Sequence, residues 1–372
     1  MKILIVDEWG GFNSIRLAAD LAHLDVEVFI LREFDFHVSM PRNAILLPPV
    51  SLALADRLEA LQNAVEVVRP DAILPMDEST LILIWSSSPT WLDKVQPQVS
   101  PDFHELYGDK HRMEAFASSL ALPVPETLYL QKMAAEGSLD CEDLRSHLEP
   151  FGLPVVIKGA GGCRGEQVRI AETIEQAECA IRELHDNSGQ LPAIQQYIDG
   201  VPVQVGGLFD RGRPVHFLAG EKIAIHPPRT GPAVALKSIV SSDLMKYSSK
   251  LLTKLEFSGL AGLDFVQDRH GHYYFLEINP RIWGSYGFVP ALGIDMFKSW
   301  CQQLEGDTLP TSTDYPAGKT WAKMPEYVLS NAHSNANLIK RMCQPIAIKS
   351  LSWSRPSLLL YQFRRLIWAL RK

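Results

Sequence analysis

Hydrophobic positions cluster into short, β-branched runs separated by stretches with helical spacing. "KILIVD" (2–7), "VEVFIL" (26–31) and "AILP" (72–75) are such runs, and "SIRLAADLAHL" and "ALADRLEALQNAVEVV" between them repeat apolar residues at helical intervals. This alternation predicts a parallel sheet flanked by helices at the start of the chain. A dinucleotide-binding fold is the obvious rival. The first turn, however, reads "DEWGGFN", and an acid rather than glycine ends the first strand, so no G-x-G-x-x-G cradle for a pyrophosphate is written there.

Further along, "LYGDKHRMEAFASSLALPVPETLYL" predicts a helix that stops at Pro123 and Pro125. "LPVVIKGAGGCRGEQVRIAETIEQAECAIRELHD" predicts a strand, a glycine-rich loop, a second strand and an amphipathic helix. "LPAIQQYIDGVPVQVGGLFDRGRPVHFLAGEKI" predicts a strand, an exposed turn and a hairpin, and a helix is expected over 240–256. The chain beyond 310 reads as irregular until "SLLLYQFRRLIWALRK". There Leu359, Phe363, Leu366, Ile367 and Leu370 share a face beside Arg364, Arg365, Arg371 and Lys372. Basic amphipathic helices can lie on anionic membranes. Packing against the protein's own body, or a sister subunit in a homodimer, is the plainer reading.

The stretch "FLEINPRIWGS" (275–285) carries the first candidate chemistry. Alternation along a strand points Glu277 and Asn279 one way and Leu276 and Ile278 the other. The preceding "GLAGLDFVQ" pairs with it as a hairpin through Asp268 to Gly271. Pairing Gln267 with His272 sets Asp264 opposite Phe275, one diagonal step from Glu277. Two carboxylates and an amide oxygen then converge, a set that suits magnesium when phosphate oxygens supply the remaining ligands. Taken alone, the same acids fit an ordinary solvated sheet face. Arg281, just past the strand, stands where it could meet a developing anion or simply face solvent.

Lys158 ends the strand "PVVIK" and is followed by Gly159, Gly161, Gly162 and Gly165. Such a loop lets backbone N–H groups approach phosphates closely. It is not a P-loop, because G-x-x-x-x-G-K-[ST] is absent and "EQVRIA" after it reads as strand. A plain hairpin turn and a mobile phosphate flap both fit the glycines, and the lysine favours the flap. "EKIAIHPPRTGPAVALKS" (221–238) reads as a long loop presenting Lys222, His226, Arg229 and Lys237, either to a carboxylate or phosphoryl group or merely to solvent.

Composition narrows the partners. The 372 residues are 46% hydrophobic and 21% charged, enough for two or three compact units. A formal charge of −7 argues against nucleic acid. Five cysteines without CxxC spacing suit reduced thiols in a cytoplasmic protein and give no structural zinc site. The apolar N-terminal run breaks at Asp7, too short for a signal peptide or a span.

Together these motifs resemble the ATP-grasp superfamily of carboxylate–amine ligases, with a likeness to its short carbamoyl-phosphate-synthase-like members. "GDK" (108–110), "PVVIKGAGGCRG" (154–165), "QQYIDG" (195–200) and "GLDF…FLEINPR" (262–281) stand in the family's order. The resemblance implies an α/β chain, α+β in its two-lobed ATP-grasp part: an N-terminal parallel α/β domain (1–105), a central lobe with the flap (106–195), a C-terminal lobe with the metal site (196–310) and an extension with the amphipathic helix (311–372). It implies that Lys110 and Lys158 contact ATP phosphates and that the loop with Gly159, Gly161, Gly162 and Gly165 covers them. Gln195, Gln196, Tyr197 and Ile198 match the hinge whose backbone reads adenine, with Leu276 against the ring. Asp264, Glu277 and Asn279 match the ligands of Mg (or Mn), and Arg281 matches the arginine near the reacting phosphate or acyl group. Arg229, His226 and Lys237 are the substrate-side candidates beside Arg281. The family usually has glutamate at the start of the hinge and another acid after its glycine, whereas Gln195, Val201, Pro202, Val203 and Gln204 supply none. The expected reaction joins a small-molecule carboxylate, activated by ATP as an acylphosphate, to an amine. Bicarbonate as acceptor and a non-catalytic nucleotide binder are the alternatives.

Overall fold

A computed structural model describes residues 1–8, 12–33, 40–107, 109–135, 144–159, 167–330, 335–350 and, beyond these, 359, 360, 362, 363 and 367. The alternation at the start is realised as β1 (Lys2–Asp7), β2 (Glu27–Arg32), β3 (Ala44–Leu46) and β4 (Ala72–Pro75), parallel and ordered β3-β2-β1-β4. Ile3, Leu4, Ile5 and Val6 are all buried, which is why this run is continuously apolar. Helices α1 (Phe12–Leu21), α2 (Leu54–Val68) and α3 (Glu78–Ser87) connect and flank the strands. β3 escapes a reading by periodicity because three residues hold too little of a repeat. The chain leaves β1 toward β2 on one side and returns as β4 on the other, so the strand order reverses there. Ligands of open α/β sheets bind beyond the carboxyl ends of strands at such a reversal, and α3 starts at that end.

After α4 (Pro101–Leu106) and α5 (Lys110–Ser119) comes an antiparallel sheet of β5 (Thr127–Tyr129), β6 (Val155–Lys158), β7 (Val168–Ala171) and β8 (Ala193–Gln196), ordered β5-β8-β6-β7. α5 ends short of Pro123, and Ala121 takes a left-handed φ of 53°. The helix Ile174–Ser188 buries Ala177, Ala180, Ile181 and Leu184, and this sheet has a core of its own.

The third sheet holds β9 (Gly200–Asp210), β10 (Arg213–Ile225), β11 (Ala233–Ile239), β12 (Gly259–Asp268), β13 (Tyr273–Asn279) and β14 (Thr320–Ala322), ordered β13-β12-β9-β10-β11-β14. Two sequence expectations change here. The stretch 221–238 is not one long loop: β10 runs to Ile225 and β11 starts at Ala233, so Lys222 and Lys237 sit on strands. The Pro-Pro and Gly-Pro pairs punctuate only the short connection between them. Beyond 310, the chain adds β14 and the helices Glu326–Leu329, Asn335–Met342 and Pro345–Lys349, with Met324, Val328 and Ala347 forming a small core. Of the amphipathic face expected at the end, Leu366 and Leu370, with Arg364, Arg365, Arg371 and Lys372, lie outside the described residues. Among the described residues, no helix is long and apolar enough to cross a membrane.

The β12–β13 register also differs from expectation. Gln267 pairs with Tyr273, Phe265 with Phe275 and Asp264 with Glu277, so the ladder slips by one residue at Leu276. The slip is a β-bulge, which places two residues of one strand opposite one of the other. It lets Tyr273, Phe275 and Ile278 all enter one core while Glu277 stays exposed.

The parallel and six-stranded sheets share two cores. Leu4 and Val6 join Val203, Val205 and Phe265 in one, and Ile3 and Ile5 join Leu208, Leu260 and Trp283 in the other. Trp283 lies against paired glycines, Gly206 on β9 and Gly262 on β12. A Cβ at Gly206 would fall 2.0 Å from Trp283 Cζ2, and one at Gly262 2.8 Å from Trp283 Cβ. The missing side chains are what allow the indole to lie on the sheet, two residues beyond Arg281. Gly206→Ala should therefore cost roughly 1–3 kcal/mol or more through overpacking. Urea unfolding checks this, and combining it with Trp283→Leu should give a smaller loss than the sum of the two changes.

Candidate active site

Asp264 stands directly across from Glu277, and Asn279 Nδ2 donates to Glu277 Oε1 at 3.4 Å. Lys222 reaches from β10 across β9 and sets its Nζ 2.8 Å from Asp264 Oδ1, with the two side chains only 10% and 14% exposed. Gln204, the partner of Asp264 on β9, donates Nε2 to the same oxygen at 3.4 Å, and the Ser285 hydroxyl donates to Gln204 Oε1. Burial pushes the Asp264 carboxyl above its ordinary range; Lys222 pulls it back and the nearby Glu277 charge adds to the rise. Two carboxylates with an amide are hard oxygen donors, the set that Mg²⁺ accepts when water and phosphate fill the other positions. Among the described residues, no group of three or more His, Cys, Asp or Glu could hold a metal ion. A cation here would depend on the Asn279 amide and on ligands from outside the chain, as magnesium bound with a nucleotide does.

Arg281 extends this set toward the parallel sheet. Its Nη1 donates to Ile282 O at 3.0 Å, and its Nη2 donates to Asn279 Oδ1 at 3.2 Å and to Glu78 Oε1 at 2.8 Å. Desolvation, the largest influence, works against the guanidinium charge, but Glu78, Tyr107 and Glu277 together outweigh it and the arginine is held more firmly protonated than usual. Glu78 is the first residue of α3, whose N-cap Asp77 accepts from Thr80 N at 2.8 Å, Ser79 Oγ at 2.7 Å and Thr80 Oγ1 at 2.7 Å. Arg57 of α2, 3% exposed, lies 3.6 Å from Asp77 Oδ1 and donates to Glu8 Oε1 at 2.7 Å and to Ser79 Oγ at 2.6 Å. Burial, then the Asp77 charge, raises the Glu8 pKa. This cluster closes the carboxyl ends of β1 and β4 and fixes the start of α3. Glu78, Tyr107, Gln204 and Ser285 have no role in the sequence reading. For Glu78 a signal existed: an acid pair, Asp77 and Glu78, directly after a strand end at the sheet's order reversal.

The remaining candidates scatter. Lys158 ends β6 opposite Val168 and Ala193, and Gly159 N donates to Gln167 O at 2.8 Å. Gly161, Gly162 and Gly165 lie outside the described residues, as does the side chain of Lys110, which begins α5. Gln195 is buried and turns its amide inward, donating Nε2 to Thr127 Oγ1 at 2.8 Å and to Glu114 Oε2 at 3.3 Å. Tyr129 donates to the same Glu114 oxygen at 2.7 Å, so an acid of α5 meets the Gln195 amide. Gln196 N donates to Glu126 O at 2.8 Å, and Tyr197 and Ile198 lead from β8 into β9. Leu276 is the half-buried residue at the bulge. Arg229 pairs with Glu172 at 2.7 Å and lies 6.0 Å from the Tyr197 ring centre, linking its loop to the central lobe. Lys237 Nζ is 3.9 Å from Glu221 Oε2, and His226 N donates to Pro232 O at 3.1 Å. The contacts described for Arg229, His226 and Lys237 are thus made away from Arg281.

The family of ATP-grasp domains matches residues 107–285. The chain carries an ATP-grasp domain. In sequence it is 28% identical over 222 residues to the carbamoyl phosphate synthase large chain of Thermomicrobium roseum, covering 56% of this chain and 19% of that protein. The chain thus spans less than a fifth of the length of the curated relatives it matches first. In structure it is similar to the biotin carboxylase–β-γ-ATP complex from Campylobacter jejuni, with a TM-score of 0.68, 17% identity and coverage of 86% of this chain and 74% of that one. It is also similar to the L-amino acid ligase from Bacillus licheniformis, with a TM-score of 0.64, 16% identity and coverage of 83% and 75%. At these identities the solved structures speak for the fold, which extends beyond the ATP-grasp domain to the N-terminal parallel sheet.

The buried cluster under α3 makes a direct prediction. Arg57→Met leaves Asp77 and Glu8 without their cation and should lower stability by about 3–5 kcal/mol, as losing one partner of a buried pair does. Thermal and urea unfolding of the purified variant check it.

Proposed function

We propose that this ATP-grasp protein is a ligase that activates a small-molecule carboxylate with ATP and joins it to an amine. The observation that carries the reading is the meeting of Asp264, Glu277 and Asn279 on one sheet face with Lys222 and Arg281 at its two ends. Mg²⁺ bound with the nucleotide would be held by these three residues and would supply charge neutralisation at the phosphates. Lys110 and Lys158 are assigned to the triphosphate, and Arg281 to the oxygens of the group in transfer. A carboxylate oxygen attacks the γ-phosphorus, the bond to the β-phosphate oxygen breaks, and ADP leaves. The amine nitrogen then attacks the acyl carbon, the C–N bond forms, and phosphate leaves as the nitrogen gives up a proton. Positioning and electrostatics suffice for both steps, so no side-chain nucleophile is required.

A second reading keeps the ATP chemistry and makes bicarbonate the acceptor of the phosphoryl group. The sequence likeness to a carbamoyl phosphate synthase chain favours it. One experiment separates the two: ADP release with magnesium, measured over a panel of amino acids paired with small carboxylates and, separately, with bicarbonate. Ligase activity is expected to appear as release that needs both a carboxylate and an amine, with phosphate formed in equal amount. Glu277→Ala should weaken ATP binding in the presence of magnesium by at least ~10-fold, since even outer-shell partners of a metal cost 10–100-fold when lost. No stimulated release with any pair, together with nucleotide affinity that Glu277→Ala leaves unchanged, would sink the proposal.

A further inference from the structure

We infer that Glu78, from the parallel-sheet domain, is the positioning residue for Arg281, orienting the guanidinium that meets the group in transfer; the inference rests on the function proposed above. The geometry runs across two domains. Glu78 Oε1 accepts from Arg281 Nη2 at 2.8 Å, and the side chains are only 27% and 19% exposed. The Tyr107 phenol, just past α4, lies beside the same carboxylate. Burial, and then the Glu78 charge, raises the Tyr107 pKa, so the phenol keeps its proton and remains a donor. Its ring is wedged against Trp85 and Phe103, with centroids 5.7 and 5.3 Å away.

Glu78 is held from its backbone outward. Its backbone is the first turn of a helix whose cap is braced by Arg57, Ser79 and Thr80. Its carboxylate faces the Tyr107 phenol and accepts from Arg281. Arg281 has a long side chain whose rotamer freedom must be removed before it can serve a reacting oxygen. Besides Glu78, its donors meet only two oxygens among the described residues, both neutral, Asn279 Oδ1 at 3.2 Å and Ile282 O at 3.0 Å. A hydrogen bond between two charged groups is shorter and about twice as strong as a neutral one. The Glu78 contact thus sets the direction of the guanidinium, and the Asn279 contact joins it to the acid face.

The test compares the wild type with Glu78→Gln, which keeps an oxygen for Tyr107 but removes the charge that holds Arg281. Calorimetry with Mg²⁺ measures the affinity for ADP and for the β,γ-imido analogue of ATP, and their ratio isolates contacts to the terminal phosphoryl group. Glu78→Gln should lower that ratio about 10-fold, the size of one hydrogen bond to a charged group, while ADP affinity stays within about 2-fold. In an Arg281→Gln background the same change should have no further effect. A role limited to packing would act equally in both backgrounds or on ADP as well. Tyr107→Phe, nearly isosteric, gives the same comparison if Glu78→Gln folds poorly, with a smaller loss of about 3-fold expected. A ratio unchanged by Glu78→Gln and Tyr107→Phe, or an effect that persists without Arg281, overturns the inference and leaves the proposed function standing. Absence of binding of either nucleotide by the wild type instead overturns the proposed function, and this inference falls with it.

Discussion

One slipped residue in the β12–β13 ladder sets the direction of every functional side chain on that hairpin. Without the bulge, Phe275 and Glu277 would share a face, since side chains two apart on a strand point the same way. Phe275 would then leave the core or Glu277 would enter it. With it, Tyr273, Phe275 and Ile278 pack in one core, while Glu277 stands across from Asp264. The apolar and charged demands of the hairpin are met together only because two residues of β13 oppose one of β12.

That pairing brings like charges together, and the surrounding strands answer it. Lys222 crosses β9 to reach Asp264, and Gln204 turns its N–H toward the same oxygen because Ser285 donates to its carbonyl. Farther along, Arg281 balances Glu78, and Asn279 lies between that pair and Glu277. The result is a line from β10 to α3 in which the two facing carboxylates stand between Lys222 on one side and the Asn279 amide with the Arg281–Glu78 pair on the other.

Part of this site was legible from strand alternation, which sets Glu277 and Asn279 on one face; Asp264 was placed near them on a register that differs by one residue from the observed pairing, and the role of Arg281 came from the family resemblance. What could not be read was anything that depends on register or on the contact of distant segments. The run Tyr273 to Ile278 is apolar enough that either register buries something, so the bulge leaves no mark in the sequence. Lys222 and Lys237 were assigned to one loop because the Pro-Pro punctuation at 227 and 228 outweighed the alternation in "EKIAI". Glu78 lies 203 positions before its partner, so the acid pair at the start of α3 marked a place of interest without showing what it meets. The parallel sheet was plain from its apolar runs, except for β3, and the short β14 gave too little pattern to find.

The way the cores divide decides which parts can approach one another. Separating the parallel sheet from the six-stranded sheet would expose Leu4, Val6 and Ile3 together with Val203, Leu208 and Trp283, at about 25 cal/mol for each Å² of apolar surface. Glu78, Arg281 and the acid face therefore belong to one rigid unit. The central sheet keeps a separate core of Val155, Ile157, Ile181 and Ile194, which stays intact when the sheet shifts as a body. Its ion pair to the β10–β11 loop, Arg229 with Glu172, has both side chains about half exposed, and pairs of that kind contribute only about 0.2–1 kcal/mol. That pair alone therefore holds the β10–β11 loop to the central sheet only weakly. Lys158 belongs to the central sheet, whereas Asp264, Glu277, Asn279 and Arg281 belong with the six-stranded sheet.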